Sequence, residues 1–338
     1  MLRYVARRLL ATVLVLLAAS LLTFVLVSRT ADPIAPLRLR QPPVAESTLS
    51  NLREDLYLDR GVPERYWLWL TGIGDTHGDI GLLQGKWGPS VNGTDIGSEL
   101  RHRFAVTFRL VAAALVLAVA LAVATGVVGA ARPRSRMDRA LSGFAYVALA
   151  VPLFWLGALV KQGGVWINDV IGHRVFWTLG ATSPDHASLG TLGRIGDIAG
   201  HLALPTATLV LGSYALVSRQ QRAALMVSLD SDYVRTARAK GLRERAVVVR
   251  HALRPALSPT VSLSALLVAE ALAGSVIVER IFRWRGMGTF LLEALTAGDA
   301  YAVLGYLVVV GVVVSLANLA ADVVQAALDP RVRGDERE

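Results

Sequence analysis

Six stretches of the chain, 9–27, 104–131, 140–160, 201–217, 256–278 and 301–328, are almost wholly apolar. Each is near the roughly 20 residues that a helix needs to cross the hydrocarbon core of a bilayer. A backbone in lipid must satisfy its own hydrogen bonds, so an apolar run of this length commits the chain to helix. The rest of the composition agrees. Of 338 residues, 54% are hydrophobic and 18% charged, against about 25% charged in a soluble domain. The chain reads as an all-α polytopic membrane protein with six transmembrane helices.

Charge orients these spans. The segments 1–8, 132–139, 218–255 and 329–338 carry 19 Lys or Arg in 64 positions, whereas 28–103, 161–200 and 279–300 carry 15 in 138. Basic residues collect on the cytoplasmic side of membrane proteins, which predicts both termini in the cytoplasm. Residues 1–30 then hold a basic start and an uncleaved first helix, because 28–32 make a poor signal-peptide cleavage site. The net charge of +9 is spread over loops on both faces and has no interleaved stacking aromatics. It speaks for topology and contact with membrane lipids rather than for nucleic acid. With no cysteine, disulfides and thiolate metal sites are excluded.

The connections differ in character. Residues 31–103 form the longest polar region, expected outside the cytoplasm, with a short helix over 49–58. In it Tyr66, Trp67 and Trp69 are candidates for headgroup anchors or for contacts with a partner protein. Pro152 falls inside the third apolar run and predicts a kink there. Residues 161–200 read as a second outer loop with an amphipathic stretch at 165–177. Residues 279–300 read as a short third outer loop, and 329–338 as a cytoplasmic tail. His173, His186 and His201 are too scattered to predict a metal site, and nothing in the chain calls for a cofactor.

The segment 218–255 is more specific than a basic loop. Asp232 can cap a short helix, Ala237 and Ala239 favour helix with little bulk, and Gly241 can end it in the left-handed conformation. A second helix can run from Arg243 until Pro255. The run Asp232-Tyr233-Val234-Arg235-Thr236-Ala237-Arg238-Ala239-Lys240-Gly241-Leu242, followed by His251-Ala252-Leu253-Arg254-Pro255, resembles the EAA loop of binding-protein-dependent ABC importer permeases. It is most similar to the loop of their oligopeptide, dipeptide and nickel branch. Where the general motif begins Glu-Ala-Ala, this chain has Arg235-Thr236-Ala237, a departure common in that branch. Segments at 57–70, 78–81, 278–288 and the Asp329-Pro330-Arg331 ending are also similar. The resemblance implies a type I permease fold with a core over 97–328. It implies that Asp232, Tyr233, Arg235, Thr236, Ala237, Ala239, Lys240 and Gly241 form a coupling helix seated on an ATP-binding subunit. The partners it implies are a second homologous permease, two ATP-binding subunits and an extracellular solute-binding protein. The cargo it implies is peptide, with nickel, glutathione or haem as alternatives.

Chemistry of its own is missing from the sequence. Gly85-Lys86 lacks the glycine spacing of a phosphate-binding loop, and there is no His-Glu-x-x-His or Gly-x-Ser-x-Gly. The chain is therefore expected not to be an enzyme, its energy source lying on another chain. Two other classes stay open at this point. A stand-alone secondary transporter would show internal repeats, and none is convincing. An intramembrane enzyme would need paired catalytic groups within the spans. Within the spans only Arg109, Glu270, Asp322 and Asn318 are notably polar, and they form no known catalytic constellation; of these, Arg109 and Glu270 bear on the fold. Each costs about 2.5–3.5 kcal/mol on insertion scales. They are expected either to pair, or to act separately, with Arg109 reaching the outer headgroups and Glu270 facing the translocation path or protonated.

Overall fold

The computed structural model describes residues 2–38 and 44–328; the tail expected over 329–338 lies outside them. Helix α1 spans Leu2–Thr30 and is followed by three short helices: α2 (Ala35–Arg38), α3 (Glu46–Asp55) and α4 (Val62–Thr71). Two short strands, β1 (Ile80–Gly81) and β2 (Lys86–Trp87), pair antiparallel with Ile80 opposite Trp87. Next come α5 (Ile96–Ala131), α6 (Arg136–Ala150), α7 (Leu153–Ile171) and α8 (Thr191–Leu229). Then follow α9 (Asp232–Ala239), α10 (Glu244–Ala246), a π-helical turn (Val247–Ala252) and α11 (Leu253–Ala256). Helices α12 (Ser258–Phe282), α13 (Met287–Ala297) and α14 (Ala300–Leu328) complete the described chain.

Helices α1, α5, α8, α12 and α14 are each long and apolar enough to cross a membrane, and the α6–α7 pair makes a sixth span if it counts as one. In that pair the kink expected at Pro152 within 140–160 is a full break between two helices. The two helices meet at 108°. Val151 is extended at φ −91°, ψ 124°, the conformation a following proline imposes. Two other expectations shift as well. Helix α8 begins at Thr191 rather than 201, so Pro205 lies inside it. Its 39 residues extend about 58 Å, well beyond a ~30 Å hydrocarbon core. The segment 279–300 is mostly helical, because α12 continues to Phe282 and α13 follows.

The chain divides into two compact units: Met1–Val106 with Arg285–Ser315, and Thr107–Trp284 with Leu316–Glu338. In the first unit Phe24, Trp69, Tyr57 and Tyr301 are at most 2% exposed. The Arg65 guanidinium lies 5.3 Å from the Phe24 ring centroid and 5.7 Å from that of Tyr301. So Trp69 is a core residue and Tyr66 packs on Phe24; of the three aromatic candidates only Trp67 is exposed. Arg103 is buried and joins α5 to α13, with bonds of 2.7 Å to Glu99 and 2.8 Å to Glu293. Asp299 accepts from the N–H groups of Val91 and Ala302, both at 3.0 Å, and so ties the 88–95 loop to the start of α14.

A tight polar turn orders the chain before β1. The Tyr57 hydroxyl donates to Asp75 at 2.8 Å and to Asp79 at 3.1 Å. Asp75 also accepts from the N–H groups of His77 and Gly78 at 2.9 and 2.8 Å. Burial of the Tyr57 hydroxyl and its bond to the Asp75 carboxylate raise the phenol above its ordinary range. Beside Asp75, Gly81 has φ +137° and packs against the Gly72 backbone, where a Cβ would lie 2.9 Å from Gly72 Cα.

In the second unit the bent pair packs on α8 and α12 through small residues. A Cβ at Gly157 would meet Ile281 at 2.8 Å, and one at Gly164 would meet Leu204 at 2.5 Å. Small residues at helix contacts let backbones approach closely where no hydrophobic drive exists between helices in lipid. Leu153, the first residue of α7, sits between Gly212 and Gly274, whose Cβ positions would lie 3.1 and 3.0 Å from its methyl groups.

Candidate functional site

The loop between α8 and α12 folds into a small helical platform. Ser231 is extended at φ −75°, ψ 155° and occupies the N-cap of α9. Its hydroxyl donates to the Ser228 carbonyl at 2.5 Å and accepts no bond from the first turn. Asp232, the expected cap, is instead the first helical residue and pairs with Arg235 at 3.1 Å. An acidic group there still favours the helix N-terminus. At the other end Gly241 has φ +72°, and a Cβ placed on it would have no described atom within 4 Å. It follows the last turn in the left-handed conformation expected of it.

The platform has its own core. Val234 and Val247 are fully buried, Ala237 is 4% exposed, and all three pack with Leu225, Ala252, Ala256 and Ala130. Ala237, placed by the resemblance on the coupling helix, faces inward, and its small size serves this internal packing. Asp232, Tyr233, Arg235, Thr236, Ala239, Lys240 and Gly241 are exposed. Two cross-links stiffen the turn. The Ser228 hydroxyl donates to the Ala252 carbonyl at 2.8 Å and shares a 2.7 Å hydrogen bond with Tyr233. Arg238 grips Glu244 across Gly241 with bonds of 2.8 and 3.2 Å. The Arg238 guanidinium holds the Glu244 carboxyl below its usual range.

Val234, Ser228, Glu244 and the π turn were not singled out from sequence. The Val234–Ala237 pair, three apart on an otherwise polar helix, marks an inward stripe that could have been read. The π turn has no such signal. Such turns concentrate at functional sites because they interrupt the regular ladder.

A third cross-link lies where α5, α6 and α8 meet. Asp138, 4% exposed, accepts from Arg222 at 2.6 and 2.8 Å and from the Arg134 N–H at 2.9 Å. Ser135 caps α6 by accepting from the Asp138 N–H at 3.1 Å. The basic turn after α5 is thus anchored to α8 two turns before the platform.

The structure does not join Arg109 to Glu270. Arg109 Nε is buried with no hydrogen-bond partner among the described residues, while Glu270 is exposed beside the α6–α7 break. The buried carboxylate of α12 that meets α5 is Glu279, fully buried, which accepts from the Thr107 hydroxyl at 2.5 Å. A contact between these two helices exists, with different residues. No cluster of three or more His, Cys, Asp or Glu able to hold a metal occurs among the described residues.

Comparison with known proteins places this architecture. Residues 118–334 match the family described as binding-protein-dependent transport system inner membrane component. Residues 1–86 match the N-terminal family of the same membrane components. The oligopeptide transport system permease protein OppB of Mycobacterium tuberculosis is 38% identical over 333 residues, covering 98% of this chain and 99% of that protein. A putative peptide permease protein of Brucella suis is 35% identical over 334 residues, covering 98% of this chain and 99% of that one. The dipeptide transport system permease protein DppB of Escherichia coli K12 is 29% identical over 346 residues, with coverage of 98% and 99%. With relatives aligned end to end and the family matched across the platform and the helices around it, the chain belongs to the binding-protein-dependent transport system inner membrane components and is a multi-pass permease subunit of an ABC importer.

Proposed function

We propose that this chain forms half of a translocation pathway for peptides in the bacterial cytoplasmic membrane. A second, homologous permease subunit supplies the other half. Two ATP-binding subunits on the cytoplasmic side drive the cycle, and an extracellular solute-binding protein delivers the peptide. In this reading both termini are cytoplasmic and 31–103 lies outside. The exposed face of α9, with Asp232, Tyr233, Arg235, Thr236, Ala239, Lys240 and Gly241, is the surface that docks on an ATP-binding subunit.

The observation that carries the reading is the build of the platform. Its buried side packs α9 onto the end of α8 and the π turn, so a push on the exposed face reaches α8 and α12 as a rigid movement. An ordinary linker would not have a fully buried valine at its centre. The peptide cargo is supported by the relatives, which carry oligopeptide and dipeptide transport in their names.

The test is uptake and purification together. A strain lacking the gene should lose uptake of labelled di- and tripeptides and regain it with the wild-type gene. Affinity purification of the chain should recover an ATP-binding subunit in near-stoichiometric amount. Recovery of the ATPase without restored peptide uptake would keep the importer and replace the cargo. Recovery of the chain alone, with transport intact, would remove the ATP-driven reading.

A further inference from the structure

Glu270 stands at the centre of α12. It lies twelve residues from either end of the Ser258–Phe282 helix, about 18 Å at 1.5 Å per residue. The helix around it is apolar enough to span a membrane. A carboxylate at that depth faces a counter-charge or a watery cavity. Among the described residues it has no ion-pair partner, and its side chain is exposed.

What it borders is the notch left by the α6–α7 break. A cavity of about 250 Å³ opens there between Ala148, Pro152, Leu209, Gly212, Ser213 and Glu270. Pro152 has no N–H, so the carbonyl of Ala148, four residues earlier, loses its helical donor. With the Ser213 hydroxyl and the Glu270 carboxylate, the notch collects hydrogen-bond acceptors and one negative charge, and none of its described lining residues is cationic. The group complementary to that set is a primary ammonium, which offers three donors and no acceptor. At about 250 Å³ the cavity has room for an aminoacyl-sized group. Interrupted helices at mid-membrane serve transporters as binding points because they expose backbone dipoles to a cavity.

We propose that the notch at Pro152 is a subsite for the α-ammonium group of the peptide in transit, with Glu270 as its counter-charge. The inference rests on the peptide-permease reading above and deepens it. An unblocked peptide carries this group whatever its side chains, so the site reads no sequence. A lysine or arginine of the second permease subunit carries the same kind of charge, and the experiment separates the two sources.

The chain has no cysteine, so Ser213→Cys gives one reporter in the notch. In permeabilised membranes holding the whole transporter, the thiol is reacted with a cationic aminoethyl and an anionic sulfonatoethyl methanethiosulfonate, and read on this chain by mass. The ratio of cationic to anionic rates should be about tenfold above that of a small free thiol, as a carboxylate a few ångströms away dictates. Adding Glu270→Gln should bring that ratio close to the free-thiol value. Trialanine should slow the modification, and N-acetyl-trialanine should not. A ratio no higher than the free-thiol value, or a thiol unreactive to both because a partner's cation fills the notch, would overturn the proposal. So would equal protection, or none, by the two peptides. The peptide-permease reading survives each of those results; it fails only if deletion of the gene leaves peptide uptake unchanged.

Discussion

At the scale of single residues, two positions make sharp tests. Gly241 occupies the left-handed region with open space around it. A side chain there meets no obstacle, but left-handed backbone costs an L-residue about 1–2 kcal/mol. Gly241→Val should therefore leave membrane abundance near wild type and tilt the turn that holds α9. ATP hydrolysis by the assembled transporter should persist while peptide uptake falls severalfold, measured as the ratio of the two rates; an unchanged ratio removes Gly241 from coupling. Asp75 makes a test by pH. Burial pushes its carboxyl up, but hydrogen bonds from the Gly78 N–H, the Tyr57 hydroxyl and the His77 N–H outweigh it and hold the group below the ordinary carboxylate range. A depressed carboxyl contributes stability that is present above its unfolded pKa, about 4, and lost as pH falls through the folded value. Protection against hydrogen exchange over 72–81, taken relative to the intrinsic rate at each pH, should fall only below about pH 4. In Asp75→Asn the protection should be lower at pH 7 and nearly independent of pH. Both residues were visible in the sequence, Gly241 as a turn and Asp75 only as one acid among several. The network around Asp75 joins residues from 57 to 80, and nothing local announces it.

At the scale of elements, the α6–α7 break is the feature that sequence half described. Proline at 152 predicts a kink, because it removes an N–H and restrains its predecessor. A proline kink alone is modest, whereas this pair turns by 108°. The angle is held by Leu153 in the slot between Gly212 and Gly274. A Cβ at Gly274 would stand 3.0 Å from a Leu153 methyl, which a flexible leucine can yield to, whereas valine adds two further methyls. Gly274→Ala should thus cost little, while Gly274→Val should displace Leu153, with overpacking costs of about 1–3 kcal/mol. Spin labels at Phe144 and Leu159 report the outcome: their separation should widen or broaden in the valine variant and stay narrow in the alanine variant. An unaltered distance distribution with valine would mean the bend is set by Pro152 alone.

At the scale of the whole molecule, the expected arrangement is a set of apolar spans with 31–103 outside and the α9 platform inside. Single cysteines at Ser47 and Thr94, both exposed, should react with an impermeant maleimide in intact cells once any outer barrier is opened. A cysteine at Arg245, also exposed, should react only after lysis. The reverse pattern inverts the topology and moves the platform to the face where no ATP-binding subunit can reach it.

The sequence by itself determined the class of the protein, the approximate place of its apolar runs and the presence of a short helix before Gly241. These depend on local composition: twenty apolar residues cannot leave lipid unsatisfied, and a glycine after a short alanine-bearing helix ends it whatever lies nearby. Tertiary structure decided which residues face which way. Ala237 turned inward because Leu225 and Val247 cover it. Trp69 joined a core with Phe24 and Tyr301 rather than a membrane surface. Glu279, not Glu270, became the buried carboxylate between α5 and α12. Each outcome rests on partners far away in the chain, and a helix's own periodicity cannot tell a face that meets lipid from one that meets protein when both are apolar.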